Sequence, residues 1–199
     1  MKRTFFAVTT GLLLLLLLAA FAVPSEVEIG KAVPDFTLKG IDGKTYQLSQ
    51  FKGKVVVLEW TNPNCPFVQR VYKEIMPGIQ KKYADKVVWL TVNSTNPGHA
   101  DFESAEDLQK KYEDWHASFA AMLLDPDGKI GKMFDAKTTP HMFIIDKEGK
   151  LAYAGGIDDD PRGGKQDRIN YVDVALMNIL AGKAAPTTTT RSYGCSIKY

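Results

Sequence analysis

The stretch KVVVLEWTNPNCPFVQR, Lys54 to Arg70, decides how this chain folds. Its first part, Lys54 to Trp60, is an apolar run rich in valine, as a strand buried on both faces requires. After Cys65 the period changes. Phe67, Val68, Val71, Tyr72, Ile75, Met76 and Ile79 fall at helical spacing. Pro66 suits the first turn of a helix, where a missing N–H costs nothing, and Pro77 is expected to end or kink it. Cys65 therefore stands where a buried strand hands over to a helix. The first N–H groups of a helix have no internal partners, and the helix dipole adds partial positive charge there. A thiolate is stabilised in that field, so the position suits a nucleophilic sulfur. The bland reading is a half-buried, inert cysteine capping a turn.

Upstream, Phe36 and Leu38 alternate with polar residues, Asp42-Gly43 marks a turn, and Tyr46 and Leu48 alternate again, which reads as a hairpin. Downstream, Lys86–Asn93 reads as a second buried strand. Asp101–Phe119 reads as a helix with Leu108, Tyr112, Trp115 and Phe119 inward. AAMLLD is a third strand and Ile130–Phe134 a short helix. His141–Asp146 and LAYAGGI are two more strands joined through Gly149. Asp167–Leu180 is a last helix, with Ile169, Val172, Leu176, Ile179 and Leu180 inward. Buried strands alternating with helices indicate an α/β structure with parallel pairing in the middle, and the strand–turn–strand unit makes the sheet mixed. The remaining tail, GKAAPTTTTRSYGCSIKY, has turn residues but no periodicity.

Thr139-Pro140 directly precedes a strand. Proline cannot donate to a central ladder, so it belongs at a strand's start, and such a tight entry is a candidate cis peptide. A cis proline there would turn the Thr139 backbone outward, towards an extended peptide or thiol substrate.

The N-terminus bears on location. Lys2 and Arg3 precede the leucine run Leu12–Leu18, and Ala20-Phe21-Ala22 offers small residues for a signal peptidase. The leucine core is short for a spanning helix, so residues 1–22 read as a cleaved signal peptide; an uncleaved anchor is the alternative. Either way the body is exported, to a periplasm or beyond the cell. Lys2 and Arg3 are the only charges in that leader, and removing them balances 25 basic residues against 23 acidic ones. Nothing in that balance recommends nucleic acid or a membrane surface as a partner. Two cysteines in a chain of 199 residues are no disulfide scaffold.

The element order, with cysteine at a helix start and Thr-Pro before a strand, resembles the thioredoxin fold. More narrowly it is similar to the redoxin branch, the alkyl hydroperoxide reductase/thiol-specific antioxidant proteins and the exported thioredoxin-like reductases. VPDFTLKGIDGKTYQLSQFKGKVVVLEW resembles their N-terminal extension and first core strand, and TTPHMFIIDKEGKLAYAGGID their cis-proline strand and hairpin. The likeness covers roughly residues 32–182, a length suited to one domain, and leaves 183–199 as a tail carrying Cys195. It implies an α/β thioredoxin-like domain with a mixed central sheet, flanking helices and an N-terminal hairpin extension. It implies a thiol-dependent oxidoreductase that needs no cofactor. Its substrate would be a peroxide or a protein thiol or disulfide, restored by an external thiol reductant.

The departures are as informative. Thioredoxins carry two cysteines with two residues between them; here Cys65-Pro66-Phe67-Val68 has valine at the second place, so no local thiol resolves an intermediate. Peroxiredoxins carry threonine three residues before the cysteine and proline four before that; here those positions are Asn62 and Leu58. Asn62 can still donate a hydrogen bond to a substrate. NPNCPFV resembles a peroxiredoxin-like subgroup with Asn-x-Cys-Pro-Phe/Tyr-Val.

Cys195 is the other sulfur. The peptide from Gly182 to Cys195 extends at most roughly 40 Å, enough to reach Cys65 of its own chain or of a partner. As a resolving thiol it would attack oxidised Cys65, as C-terminal cysteines do in the peroxiredoxins this chain resembles. As a staple it would be permanently bonded to Cys65, and a third use is attachment or oligomerisation. Tyr193-Gly194 before it suggests an ordered docking motif. Cys65 and Cys195 are thus the catalytic candidates, and Thr139, Pro140 and Asn62 the substrate-binding ones. The rival reading is a non-catalytic binding module with a structural Cys65–Cys195 disulfide, or a metal carrier. His99, His116 and His141 are the only histidines and no two lie at a ligand spacing, so no metal site is expected. His141 could approach Cys65 as a base. Asp158–Gly164 reads as a solvated loop rather than a calcium site, and Arg70 as facing solvent.

Overall fold

The valine run becomes the sheet's centre because each of its faces meets a different core. In the computed structural model, which describes residues 27–199, β3 (Val55–Trp60) is buried at every position. Val55 and Val57 point into one apolar cluster and Val56, Leu58 and Trp60 into the other, as the two-residue period of a strand dictates. The leader at 1–22 lies outside the described residues. The hairpin forms β1 (Thr37–Gly40) and β2 (Thr45–Gln47), followed by a 3₁₀ turn at Leu48–Phe51. β4 (Val87–Asn93), β5 (Ala121–Leu124), β7 (His141–Ile145) and β8 (Leu151–Gly155) complete a sheet ordered β2-β1-β5-β4-β3-β7-β8. β3 pairs in parallel with β4, and β4 with β5; the other pairings are antiparallel, so the sheet is mixed as expected.

Among the described residues, five α-helices flank it. α1 (Pro66–Glu74) and α2 (Met76–Tyr83) are one apolar stripe broken at Ile75, whose φ of −133° leaves the helical region just before Pro77. They share the Val55/Val57 face with α3 (Ala105–Asp114) and α5 (Tyr171–Leu180). α4 (Lys129–Met133) brings Ile130 to the other face, where Phe36 and Phe134 join it. Two helices are shorter than their apolar patterns predict. α3 starts only at the Ser104 cap, whose Oγ accepts the Asp107 amide at 3.1 Å, and it stops before His116, which takes a positive φ of 54°. α5 starts at the Asn170 cap, which accepts the Asp173 amide at 2.9 Å. Ile169, expected inward, precedes that cap and is exposed.

The tail is a further element. β9 (Cys195–Ser196) pairs antiparallel with β6 (Thr138–Thr139), in a register that sets Cys195 against Thr139. Upstream, Thr189 bridges to Ala154 of β8, and downstream the Asn96 amide donates to the Lys198 carbonyl at 2.7 Å. Among the described residues no helix is long and apolar enough to cross a membrane.

Candidate active site

Cys65 caps α1. Its backbone is extended (φ −86°, ψ 121°), Pro66 fills the first helical position, and the sulfur sits at the open end of the helix. Asn62 shapes the loop that delivers it: Oδ1 accepts the Asn64 amide at 2.7 Å, Nδ2 donates to Thr95 Oγ1 at 2.9 Å, and the Asn62 carbonyl accepts the Cys65 amide at 3.1 Å. The Thr139–Pro140 peptide bond is cis. The Cys65 Sγ lies 3.0 Å from the Thr139 carbonyl oxygen and 2.8 Å from the Cys195 Sγ, and both cysteines are free thiols. Fold and tail thus gather Cys65, Cys195, Thr139 and Pro140 at one point, with Asn62 beside them. Asn62, Cys65, Ser94, Thr95, Thr139 and Cys195 line a small, partly open pocket of about 40 Å³, room for one or two molecules the size of water. A larger groove, about 750 Å³ at the break between α1 and α2, holds neither sulfur.

The two thiols are not equivalent. Burial, the largest influence on Cys65, opposes ionisation. Hydrogen bonds from the Cys195 thiol, the Thr139 hydroxyl and the Val68 amide outweigh it, so the Cys65 thiol titrates below its ordinary value. Burial and its role as donor to Cys65 push the Cys195 thiol up to about 11. Cys65 is the buried sulfur, 3% exposed, and Cys195 is half-buried above it.

Three expectations need correction. His141 cannot serve Cys65 as a base. It lies on the face of β7 shared with Phe143, across the sheet from Cys65; its ring rests on Phe143 at 4.4 Å and its Nδ1 accepts the Lys137 amide at 3.2 Å. Burial holds it neutral, with its pKa lowered to about 4. Asp158–Gly164 is not simply a solvated loop: Asp158 and Asp160 are buried. Arg70 does not face solvent. It donates to Glu74 at 3.1 Å and to the Tyr193 hydroxyl at 3.0 Å, and that hydroxyl donates to Asp158 at 2.5 Å. Arg70, Asp158 and Tyr193 thereby hold the tail two residues before Cys195. Tyr193-Gly194 was the one signal in the sequence for this contact; its receptor carried none, because single charges in loops and on helix faces do not announce partners remote in sequence.

Residues 29–154 match the AhpC/TSA family. The chain belongs to that family. The thiol-disulfide oxidoreductase ResA of Bacillus cereus is 28% identical over 135 residues, 66% of this chain and 71% of that protein. The crystal structure of an uncharacterized conserved protein from Geobacillus kaustophilus superposes with a TM-score of 0.77 at 29% identity, covering 86% of this chain and 92% of that one. The exposed lipoprotein thioredoxin of Streptococcus pneumoniae gives a TM-score of 0.53 at 31% identity, over 75% of this chain and 99% of that one. Family, relatives and fold together support a thiol-dependent redox function, on a thioredoxin-like fold of the redoxin type.

Proposed function

We propose that this chain is an exported thiol-disulfide oxidoreductase whose redox pair is Cys65 and Cys195. The observation that carries the reading is the 2.8 Å approach of two free sulfurs, one of them at a helix N-terminus. The Cys65 thiolate attacks one sulfur of a substrate disulfide, forming a mixed disulfide and expelling the other sulfur as a thiolate, which takes up a proton. Cys195 then loses its proton and attacks the Cys65 sulfur. The Cys65–Cys195 disulfide forms, and the substrate leaves with both sulfurs reduced. An external dithiol returns the two electrons. Thr139 and Pro140 present the edge on which the substrate lies, and Asn62 fixes the loop under the nucleophile. The leader at 1–22 and the likeness to an exposed lipoprotein thioredoxin favour export, with residues 32–182 as the catalytic domain and 183–199 as the arm that brings the second thiol.

A second oxidant fits the same pair. The partly open pocket of about 40 Å³ beside the sulfurs admits hydrogen peroxide. There the Cys65 thiolate would displace hydroxide from the O–O bond to give a sulfenic acid, and the Cys195 thiol would condense with it, releasing water.

Cys65→Ser is expected to abolish turnover of a disulfide substrate and of hydrogen peroxide, and unchanged turnover would refute the assignment. Cys195→Ser is expected to perform the first step once and stop, leaving Cys65 as a mixed disulfide or sulfenic acid visible by mass spectrometry.

A further inference from the structure

The tail approaches Cys65 as a short strand whose side chains are read individually. β9 contributes only Cys195 and Ser196 to the ladder with β6, a contact that carries no sequence preference. Selectivity comes from the two residues before the cysteine. Tyr193 puts its ring 6.1 Å from Phe67 and under the Arg70 guanidinium, at 5.9 Å, and its hydroxyl between Arg70 and Asp158. Gly194 has a φ of 131°, and a Cβ built on it would run into the Thr139 carbonyl oxygen, so no other residue fits there without moving the strand. Cys195 follows, its sulfur against Cys65.

The contacts of the tail fall into two groups, one before Arg191 and one after it. Thr190 is fixed, its Oγ1 accepting the Gly156 amide at 3.0 Å, and Thr189 bridges to β8. The next residue, Arg191, is exposed. Separation from Ser192 onward breaks the Tyr193 contacts, the two-residue ladder and the bonds of Ile197, Lys198 and Tyr199, but leaves the seven-stranded sheet whole.

We infer that the surface beneath Tyr193–Cys195 is a recognition groove for an extended tyrosine–glycine–cysteine segment of a partner polypeptide, with the chain's own tail as its resident occupant. The inference rests on Cys65 being the nucleophile. It specifies the substrate as a polypeptide that displaces the tail and presents its cysteine, as part of a disulfide, in the register Cys195 now holds.

The test uses the full chain with Cys195→Ser and the probe acetyl-Arg-Ser-Tyr-Gly-Cys-Ser-Ile-Lys-amide, its cysteine carrying a 2-thiopyridyl disulfide. The Cys65 thiolate attacks the peptide sulfur, bonds to it and expels 2-thiopyridone, which is read by absorbance. This peptide should label Cys65 about tenfold faster than its Gly→Ala and Tyr→Ala analogues. Tyr193→Phe in the chain, which loosens the resident tail, should raise the rate for the parent peptide several-fold. Equal rates for the three peptides would overturn the inference, as would intermolecular Cys65–Cys195 dimers in a Tyr193→Ala chain that retains both cysteines, which would assign the groove to a second copy. The small reagent cysteamine 2-thiopyridyl disulfide separates the two claims. If it labels Cys65 while the peptides go unsorted, only the groove falls; if it too fails, the nucleophile falls with it.

Discussion

At the scale of single residues, the site is a pair of thiols with divided roles. Cys65 sits in the field of a helix N-terminus and receives hydrogen bonds that favour its thiolate, whereas Cys195 is held protonated as one of the donors. In the reduced chain, alkylation by iodoacetamide followed peptide by peptide should show Cys65 gaining reactivity at lower pH than an ordinary thiol. Cys195 should stay slow until the pH approaches 11. The reverse order would contradict this division. The place of Cys65 was legible in the sequence, because the change from valine run to helical period occurs at that residue. Thr139-Pro140 was legible for a similar reason, a proline standing just before an apolar strand. Arg70 and Asp158 were not. The burial of a charge depends on what covers it, and here the cover is Tyr193, 123 residues beyond Arg70 and in a segment without periodicity.

At the scale of elements, β3 and β7 lie side by side and carry two buried titratable groups with opposite consequences. Burial raises Glu59 from 4.5 to about 7, against the hydrogen bond from Trp89 Nε1 at 2.8 Å. Between these values the folded chain holds a proton that the unfolded chain releases, so stability falls as pH rises. Burial lowers His141 from 6.5 to about 4. There the unfolded chain holds the extra proton, so the stability His141 contributes is fully present above pH 6.5 and is lost as pH falls towards 4. Each effect is worth about 3 kcal/mol at full extent, and they nearly cancel in their shared window. Glu59→Gln should expose the His141 slope, making the protein more stable to urea at pH 6.5 than at 4.5. His141→Asn, whose Oδ1 can still accept the Lys137 amide, should expose the opposite slope. Identical slopes in the native chain and both variants would refute this. The helix boundaries show what periodicity misses. Apolar spacing runs on past the ends of α3 and α5, but Ser104 and Asn170, each followed three residues later by an aspartate, are N-cap signals that place both starts.

At the scale of the whole molecule, the parallel centre of the sheet followed from the alternation of buried runs with helical ones, and its mixed sense from the strand–turn–strand unit through Gly149; the order of the strands did not. Nor did the strand formed by the tail, since two residues are too few to carry a pattern. Yet the tail is what makes this member of the AhpC/TSA family a two-thiol protein, because the helix after Cys65 offers valine where a thioredoxin has its second cysteine. Without the tail the fold carries one cysteine; with it the second thiol arrives from 130 residues away, at 2.8 Å. The most direct measurement is a redox titration of the full chain, mapped without reduction after trypsin. That digestion separates Val55–Arg70 from Ser192–Lys198. The two peptides should be unlinked in the reduced chain, become joined through Cys65 and Cys195 on mild oxidation, and separate again with a dithiol. Peptides that never join, or that are joined from the outset and resist the dithiol as a structural staple would, contradict the assignment of this pair as the protein's working redox centre.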